Sequence, residues 1–185
     1  VPPAVAGVDR VNDDTGFDDY FTTDTNGLEI FGFSDPGSTL SVTYDWTPQG
    51  GTKVSGVDVT SFEIINLLTG VWRAVLPETG EGEYAVSVTA TKNGIDSETQ
   101  QTRIVVDITP PAVPTLEIAD LTAGRPALSG TAVGGSVVSI LENGVVIGNT
   151  QVLSDGTWTW APTSVWAAWV DRVLTARSTD AAGNV

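Results

Sequence analysis

Eight consecutive residues, Tyr84-Ala85-Val86-Ser87-Val88-Thr89-Ala90-Thr91, alternate large apolar with small or polar side chains. A side-chain period of two belongs to a strand with one face buried and the other in water. The same pattern marks Leu40–Tyr44 and Val137–Leu141 as strands. Glu142-Asn143-Gly144 then supplies an Asn-Gly hairpin turn, and Val145-Val146-Ile147 continues beyond it. Asp155-Gly156 is a second turn of this kind. Strands rich in Thr and Val, broken by frequent turns, predict an all-β fold of antiparallel sandwiches. The one helix-like stretch, Val165–Trp169, is too short to change that class.

The pattern runs through the chain twice. Pro2-Pro3-Ala4-Val5 recurs as Pro110-Pro111-Ala112-Val113, a spacing of 108 residues that suits two sandwich domains. Ile30-Phe31-Gly32 and Gly37-Ser38 match Leu128-Ser129-Gly130 and Gly135-Ser136 at an offset of 98. Gly70-Val71-Trp72 matches Gly156-Thr157-Trp158 at an offset of 86, and Thr89-Ala90 matches Thr175-Ala176 at the same offset. The first domain is therefore assigned to residues 1–107, with an acid-rich loop over 12–26, and the second to 108–185. The offset of 86 pairs Arg172 with Val86, an inward position, so either a bulge turns Val173 inward or Arg172 is displaced outward. A partner for Asp107 would fall near position 193, and the strand equivalent to Glu98–Val106 is largely missing from the second copy. The parent chain is expected to continue past Val185 into that strand and a further Asp–Pro linker.

Composition narrows the function. With 23 acidic residues against 8 basic ones the net charge is −15, which disfavours nucleic acid and anionic membrane surfaces alike. No cysteine is present, so there is no disulfide framework, and no histidine, which removes the commonest general base and zinc ligand. No apolar run reaches the roughly 18 residues of a membrane span, so direct membrane insertion is not expected. No signal peptide opens the sequence, so an extracellular protein would carry its export signal elsewhere. No nucleophile has an evident base and no phosphate loop is present, so the chain is read as a non-enzyme.

Four motifs in order carry a resemblance: Val106–Pro111 (V-D-I-T-P-P), Leu128–Ala132 (L-S-G-T-A), Asp155–Trp158 (D-G-T-W) and Thr179–Asn184 (T-D-A-A-G-N). Together they resemble the tandem bacterial immunoglobulin-like repeats of very large RTX-type surface adhesins. The resemblance covers the second half closely. In the first half, Lys92-Asn93-Gly94-Ile95-Asp96 stands where the T-D-A-A-G-N loop would be. The resemblance implies two tandem immunoglobulin-like sandwiches acting as extender repeats, with neighbouring repeats of the same chain as partners. It also implies type I secretion, an extracellular place on a bacterial cell surface, and Ca²⁺ at the junctions between repeats. Any glycan or host-surface ligand would be met by other parts of the parent protein.

An immunoglobulin-like topology expects the acidic loop, Asp107 and Asp180 to converge on one junction. Calcium takes six to eight oxygens from carboxylates, carbonyls and water. Asp107 and Asp180 are the leading candidate ligands, followed by Asp13, Asp14 and Asp24, with the Ile108 or Thr109 carbonyl as a further donor. Pro110-Pro111 fixes φ and removes two N–H donors, so the linker is stiff before any metal binds. Asp155, in its D-G turn, reads as a turn residue. Trp158 and Trp160 share one strand face, and Trp166 and Trp169 follow. Trp158 matches Trp72 and is expected in the core. Trp160, Trp166 and Trp169 either cover the open end of the sandwich or form a platform for sugars. The platform would make this a carbohydrate-binding module, or an accessory module of a secreted polysaccharide-degrading enzyme.

Overall fold

A computed structural model describes residues 1–3, 5–11, 21–23, 25, 27–59, 61–77, 80–120, 124–167 and 170–185. They fall into two compact units, Val1–Ile108 and Thr109–Val185.

In the first unit the described strands are β1 (Val5–Val11), β2 (Phe21–Thr22), β3 (Glu29–Ser34), β4 (Thr39–Pro48), β5 (Val54–Asp58), β6 (Ser61–Asn66), β7 (Val71–Val75), β8 (Gly82–Lys92), β9 (Ile95–Asp96) and β10 (Gln100–Val106). One sheet has the order β1-β3-β7-β6 and the other β2-β10-β8-β4-β5, with β9 as a short hairpin partner of β8. These are the A-B-E-D and G-F-C-C′ sheets of an immunoglobulin-like sandwich. The described pairings are antiparallel except one. β2 runs parallel to β10, with Phe21 beside Val105 and Thr22 beside Val106.

The alternation in β8 decides which face is buried. Tyr84, Val86, Val88 and Ala90 are buried, and the residues between them are not. Of these, Tyr84, Val86 and Val88 share one core with Ile30, Trp72 and Ala74 of the opposite sheet, and Ile104 and Val106 of β10 complete it. Asn93 and Gly94, at φ 54° and 73°, make the tight turn into β9. Gly70 has φ 72°, and a Cβ there would fall 1.8 Å from the Ser34 carbonyl oxygen, so only glycine closes the β6–β7 hairpin against β3. At the start of β8 the Tyr84 hydroxyl donates to the Gly80 carbonyl at 2.9 Å. This is the tyrosine corner of immunoglobulin-like folds. Trp46 stacks on the Tyr84 ring at 6.0 Å and 15°.

The second unit contains β11 (Glu117–Asp120), β12 (Ala127–Thr131), β13 (Val137–Glu142), β14 (Val145–Gln151), β15 (Thr157–Trp160) and β16 (Leu174–Thr179). Its sheets, β11-β12-β15 and β14-β13-β16, repeat the A-B-E and C′-C-F part of the first unit. Gly130 pairs with Trp158 as Gly32 pairs with Trp72. No helix forms over the described residues of Val165–Ala167, and Trp169 lies outside the described residues.

One sequence match is corrected by register. Val137 pairs with Thr179 as Thr39 pairs with Thr91. The offset between β8 and β16 is therefore 179 − 91 = 88, not 86. Arg172 corresponds to Tyr84 rather than Val86. A slip of two residues preserves the inward face, which is why the sequence pattern does not reveal it. Neither a bulge nor outward displacement accounts for Arg172, because it occupies the position of the tyrosine corner. Its guanidinium makes two hydrogen bonds to Glu142, at 2.7 and 2.9 Å, and lies 4.5 Å over the Trp166 ring.

The two cores are unequally closed. Leu128, Val138, Ile140, Val152 and Trp158 are buried, whereas Leu174 and Ala176 are only half-buried. Their equivalents Val86 and Val88 are fully enclosed in the first unit. Among the described residues no strand of the second unit holds the place that β10 holds in the first.

Burial ranks the positions energetically. Ile104→Ala should destabilise the first unit by about 2–5 kcal/mol in urea unfolding. Ile65→Ala, at a side chain 52% exposed, should change stability by less than about 0.5 kcal/mol. Burial, with a contribution from Tyr44, pushes the Tyr84 phenol up to about 12. An unfolded tyrosine ionises near about pH 10. The folded state thus holds the proton longer, and stability falls as pH rises from about 10 towards 12. Absorbance titration should show one late-ionising tyrosine that disappears in Tyr84→Phe. That variant should also lose about 1 kcal/mol with the corner hydrogen bond.

Candidate functional site

The end of β10 carries the first candidate. Val106 is buried at the sheet's last paired position, and Asp107 follows, half-buried. The Asp107 N–H donates to the Thr22 carbonyl at 3.0 Å. β2 is parallel to β10, so Thr22 ends its strand beside Val106. Asp13, Asp14 and Asp24 themselves lie outside the described residues.

A hollow of about 310 Å³ on the first unit is bordered by Asp107, Glu81, Glu83, Gln49 and Arg103, with the backbone of Thr47–Gly50 behind them. Glu83 is paired with Arg103 across β8 and β10 at 2.8 Å. Sequence reasoning missed Glu81, Glu83 and Gln49. The signal that could have found them is strand pairing, because Glu83 and Val105 are cross-strand neighbours two residues from Asp107. Carboxylate and amide oxygens are the donors a hard cation takes. Among the described residues, however, no three acidic side chains gather closely enough to hold a metal. Glu83 is already engaged by Arg103, so the described residues of the hollow do not by themselves make a cation site.

Asp180 belongs to the second unit. Its Oδ1 accepts the Asn184 N–H at 2.9 Å and its Oδ2 accepts the Asn184 side-chain amide at 3.1 Å. Its own N–H donates to the Asn184 carbonyl at 3.1 Å, and Gly183 donates to its carbonyl at 3.2 Å. Both carboxylate oxygens therefore knit the T-D-A-A-G-N turn. The loops of this unit gather as expected: Ala132 donates to Gly156 at 3.0 Å, and the Ser178 hydroxyl donates to the Ser136 hydroxyl at 3.0 Å. Thr109 lies at the start of the unit, in the segment before β11 that carries no regular secondary structure. Asp155 accepts the Thr157 hydroxyl at 2.7 Å and its N–H at 3.0 Å, which fits a turn residue.

The tryptophans divide. Trp158 is buried. Trp160 lies against β14, where a Cβ on Gly148 would fall 2.3 Å from its indole nitrogen. Trp160 and Trp166 are 6.5 Å apart with planes tilted by 46°, so these two rings do not make one flat face. Arg172 covers one side of Trp166.

No family model matches the chain, and no curated protein matches it. Two solved structures are similar to it along nearly its full length. One is a biofilm-associated protein (BSP domain), 19% identical with a TM-score of 0.31; the match covers 97% of this chain and 27% of that one. The other is a chimeric tandem of titin Z1 and Z2 domains, 15% identical with a TM-score of 0.33, covering 98% of this chain and 94% of that one. The immunoglobulin-like fold itself rests on strand order and register.

The Thr157 hydroxyl, then its N–H, hold the Asp155 carboxyl below the usual carboxylate range. A lowered value contributes stability above the unfolded pKa of about 3.9 and loses it as pH falls through the folded value. Asp155→Ala should therefore unfold more readily at pH 6, with the difference from the parent narrowing as pH falls below about 3.9. Denaturant unfolding of the second unit at both pH values checks this.

Proposed function

We propose that the chain is a pair of extender repeats from a bacterial cell-surface adhesin, exported by type I secretion, whose work is length and projection. The carrying observation is that one module is used twice, with the A-B-E and C′-C-F strand orders shared, the same Gly–Trp register, and Val137 opposite Thr179 as Thr39 is opposite Thr91. A chain that repeats one module gains reach with each copy. The Pro110-Pro111 step in the connecting segment suits a spacer, since it restricts the backbone between one copy and the next.

On this reading calcium is taken up by oxygen donors at the pole that carries Asp107, together with acids of the 12–26 segment, Asp13, Asp14 and Asp24 among them. The Thr109 carbonyl, within the linker, and Asp180 of the second unit are further donors on this reading. Binding there stiffens the step between repeats. Extracellular calcium modules work at about 10⁻⁴–10⁻³ M, so such a site fills outside a cell and empties inside it. The chain would leave the cell pliable and stiffen on arrival.

Small-angle scattering and thermal unfolding, each in calcium and in chelator, test this. Calcium should narrow the distribution of shapes and raise the melting temperature. At a hundredfold excess over Kd, a site on the folded state alone adds about 2.7 kcal/mol. Asp107→Asn should remove most of both effects. Identical curves in calcium and chelator would reduce the acids to a solvated surface.

A further inference from the structure

Strand register places the two ends of the first unit at opposite poles. β1 starts with Val5 opposite Ser34, the last residue of β3. The turn after β3 hands the chain to β4 at the same pole, where Thr39 is opposite Thr91. β4 ends at the other pole with Pro48 opposite Gly82, and β10 ends there too, with Val106 opposite Gly82. Tension on the chain therefore pulls β1 back towards its first residue and β10 forward beyond its last. β1 is an outer strand whose ladder with β3 breaks register twice. β2 comes next along the chain. Among the described residues, its ladder is the one that ties the segment before β3 to the strand that leaves the unit. Because β2 is parallel to β10, end-to-end tension slides the two in opposite directions along one axis. Their hydrogen bonds lie across that axis and are loaded together, not one after another. Beyond the last ladder pair the Asp107 N–H still donates to the Thr22 carbonyl at 3.0 Å. Thr22 is fully buried, so water is not at hand to replace these bonds as they stretch.

We propose that the β2–β10 pair is a force-bearing clamp, the contact that resists opening of the first unit when the chain is pulled end to end. The proposal rests on the extender reading only for the direction of the load. Behind the clamp, Ile104 and Val106 hold β10 in the core, so the sandwich stays closed until the pair gives way. The rate of forced opening then depends on the pair, while the packing behind it is intact in both the closed state and the barrier state.

Single-molecule pulling on the full 185-residue chain, in chelator throughout, tests this. The chain has no cysteine, so added cysteines are unique handles. The first unit, Val1–Ile108, is the longer of the two and is recognised by the greater length it releases. One pair of handles sits at the two chain ends. The other joins the C-terminal handle to Gln49→Cys. Gln49 lies at the pole where β10 ends, its N–H donating to the Glu81 carbonyl at 3.4 Å. Pulling from there peels β10 from its tip, bond by bond. The end-to-end pull should need the higher force. Thr22→Pro removes an N–H from β2 and should speed end-to-end opening at fixed force about tenfold. It should leave the Gln49 pull within about twofold. Ile104→Ala, although it lowers equilibrium stability, should change the end-to-end rate by less than about threefold. Equal forces from the two pairs of handles overturn the proposal, and so does an Ile104→Ala effect as large as that of Thr22→Pro. If Thr22→Pro does not fold, the two pulling geometries and Ile104→Ala decide the matter, a tenfold effect of Ile104→Ala then counting against the clamp. With calcium excluded, the clamp and the calcium site stand or fall separately.

Discussion

One tryptophan on the E strand of each unit, packed across from a glycine of the B strand, fixes the geometry that the other contacts follow. Gly32 pairs with Trp72 and Gly130 with Trp158, and both indoles are buried. A Cβ on Gly130 would fall 2.8 Å from the Trp158 ring, so the glycine is the room the ring occupies. An indole of this kind buries about 150–250 Å², which at about 25 cal/mol/Å² contributes about 4–6 kcal/mol. Each indole N–H lacks a protein partner among the described residues, a penalty of about 1–3 kcal/mol. Burial wins by this comparison. The ring sets the spacing between the sheets, and Val42, Val86 and Val88 in one unit, or Val138 and Ile140 in the other, fill what remains.

The units differ where the F strand begins. In the first, Tyr84, Trp46 and Tyr44 form an aromatic group tied to the chain by one hydroxyl. In the second, the same positions carry Arg172, Gly144 and Glu142. An aromatic corner has become an ion pair covered by Trp166. The exchange is physically coherent, because a guanidinium is planar, weakly hydrated for a cation, and stacks on an indole face as a phenol ring would. Its carboxylate partner arises from the neighbouring strand β13 at the position equivalent to Tyr44. The corner is thus rebuilt with different chemistry on the same backbone register.

How much of this was legible in the sequence follows from the length scale of each signal. Alternation is local, so the buried faces of β8, β13 and β15 could be read directly, and Trp72 and Trp158 could be matched. Loop length is not local. Two additional residues between the E and F strands of the second unit shift Arg172 onto the Tyr84 position, and a shift of two leaves the period-two pattern unchanged. The border of the Asp107 hollow was equally hidden. Glu81 and Glu83 lie more than twenty residues before Asp107 and reach it only because β8 and β10 pair. The gathering of the loops around Asp180 was legible because the topology dictates it. The clasp by Asn184 was not, since it depends on one side chain folding back over four residues.

The insertion that distinguishes the first unit also links its edge to its acids. The first copy carries about ten residues beyond the second before Gly32. β2 lies within that stretch and pairs with the outer edge of β10. An open edge presents unpaired N–H and C=O groups to any passing strand, and folds suppress it by covering, bulging or charging it. Two residues of parallel pairing therefore have a value beyond their length. They cover the last strand of the sandwich and end the ladder at Val106. They also deliver the chain from the acid-rich segment to the carbonyl that accepts the Asp107 N–H. One insertion thus supplies both the cover for the β10 edge and the carbonyl that accepts the Asp107 N–H.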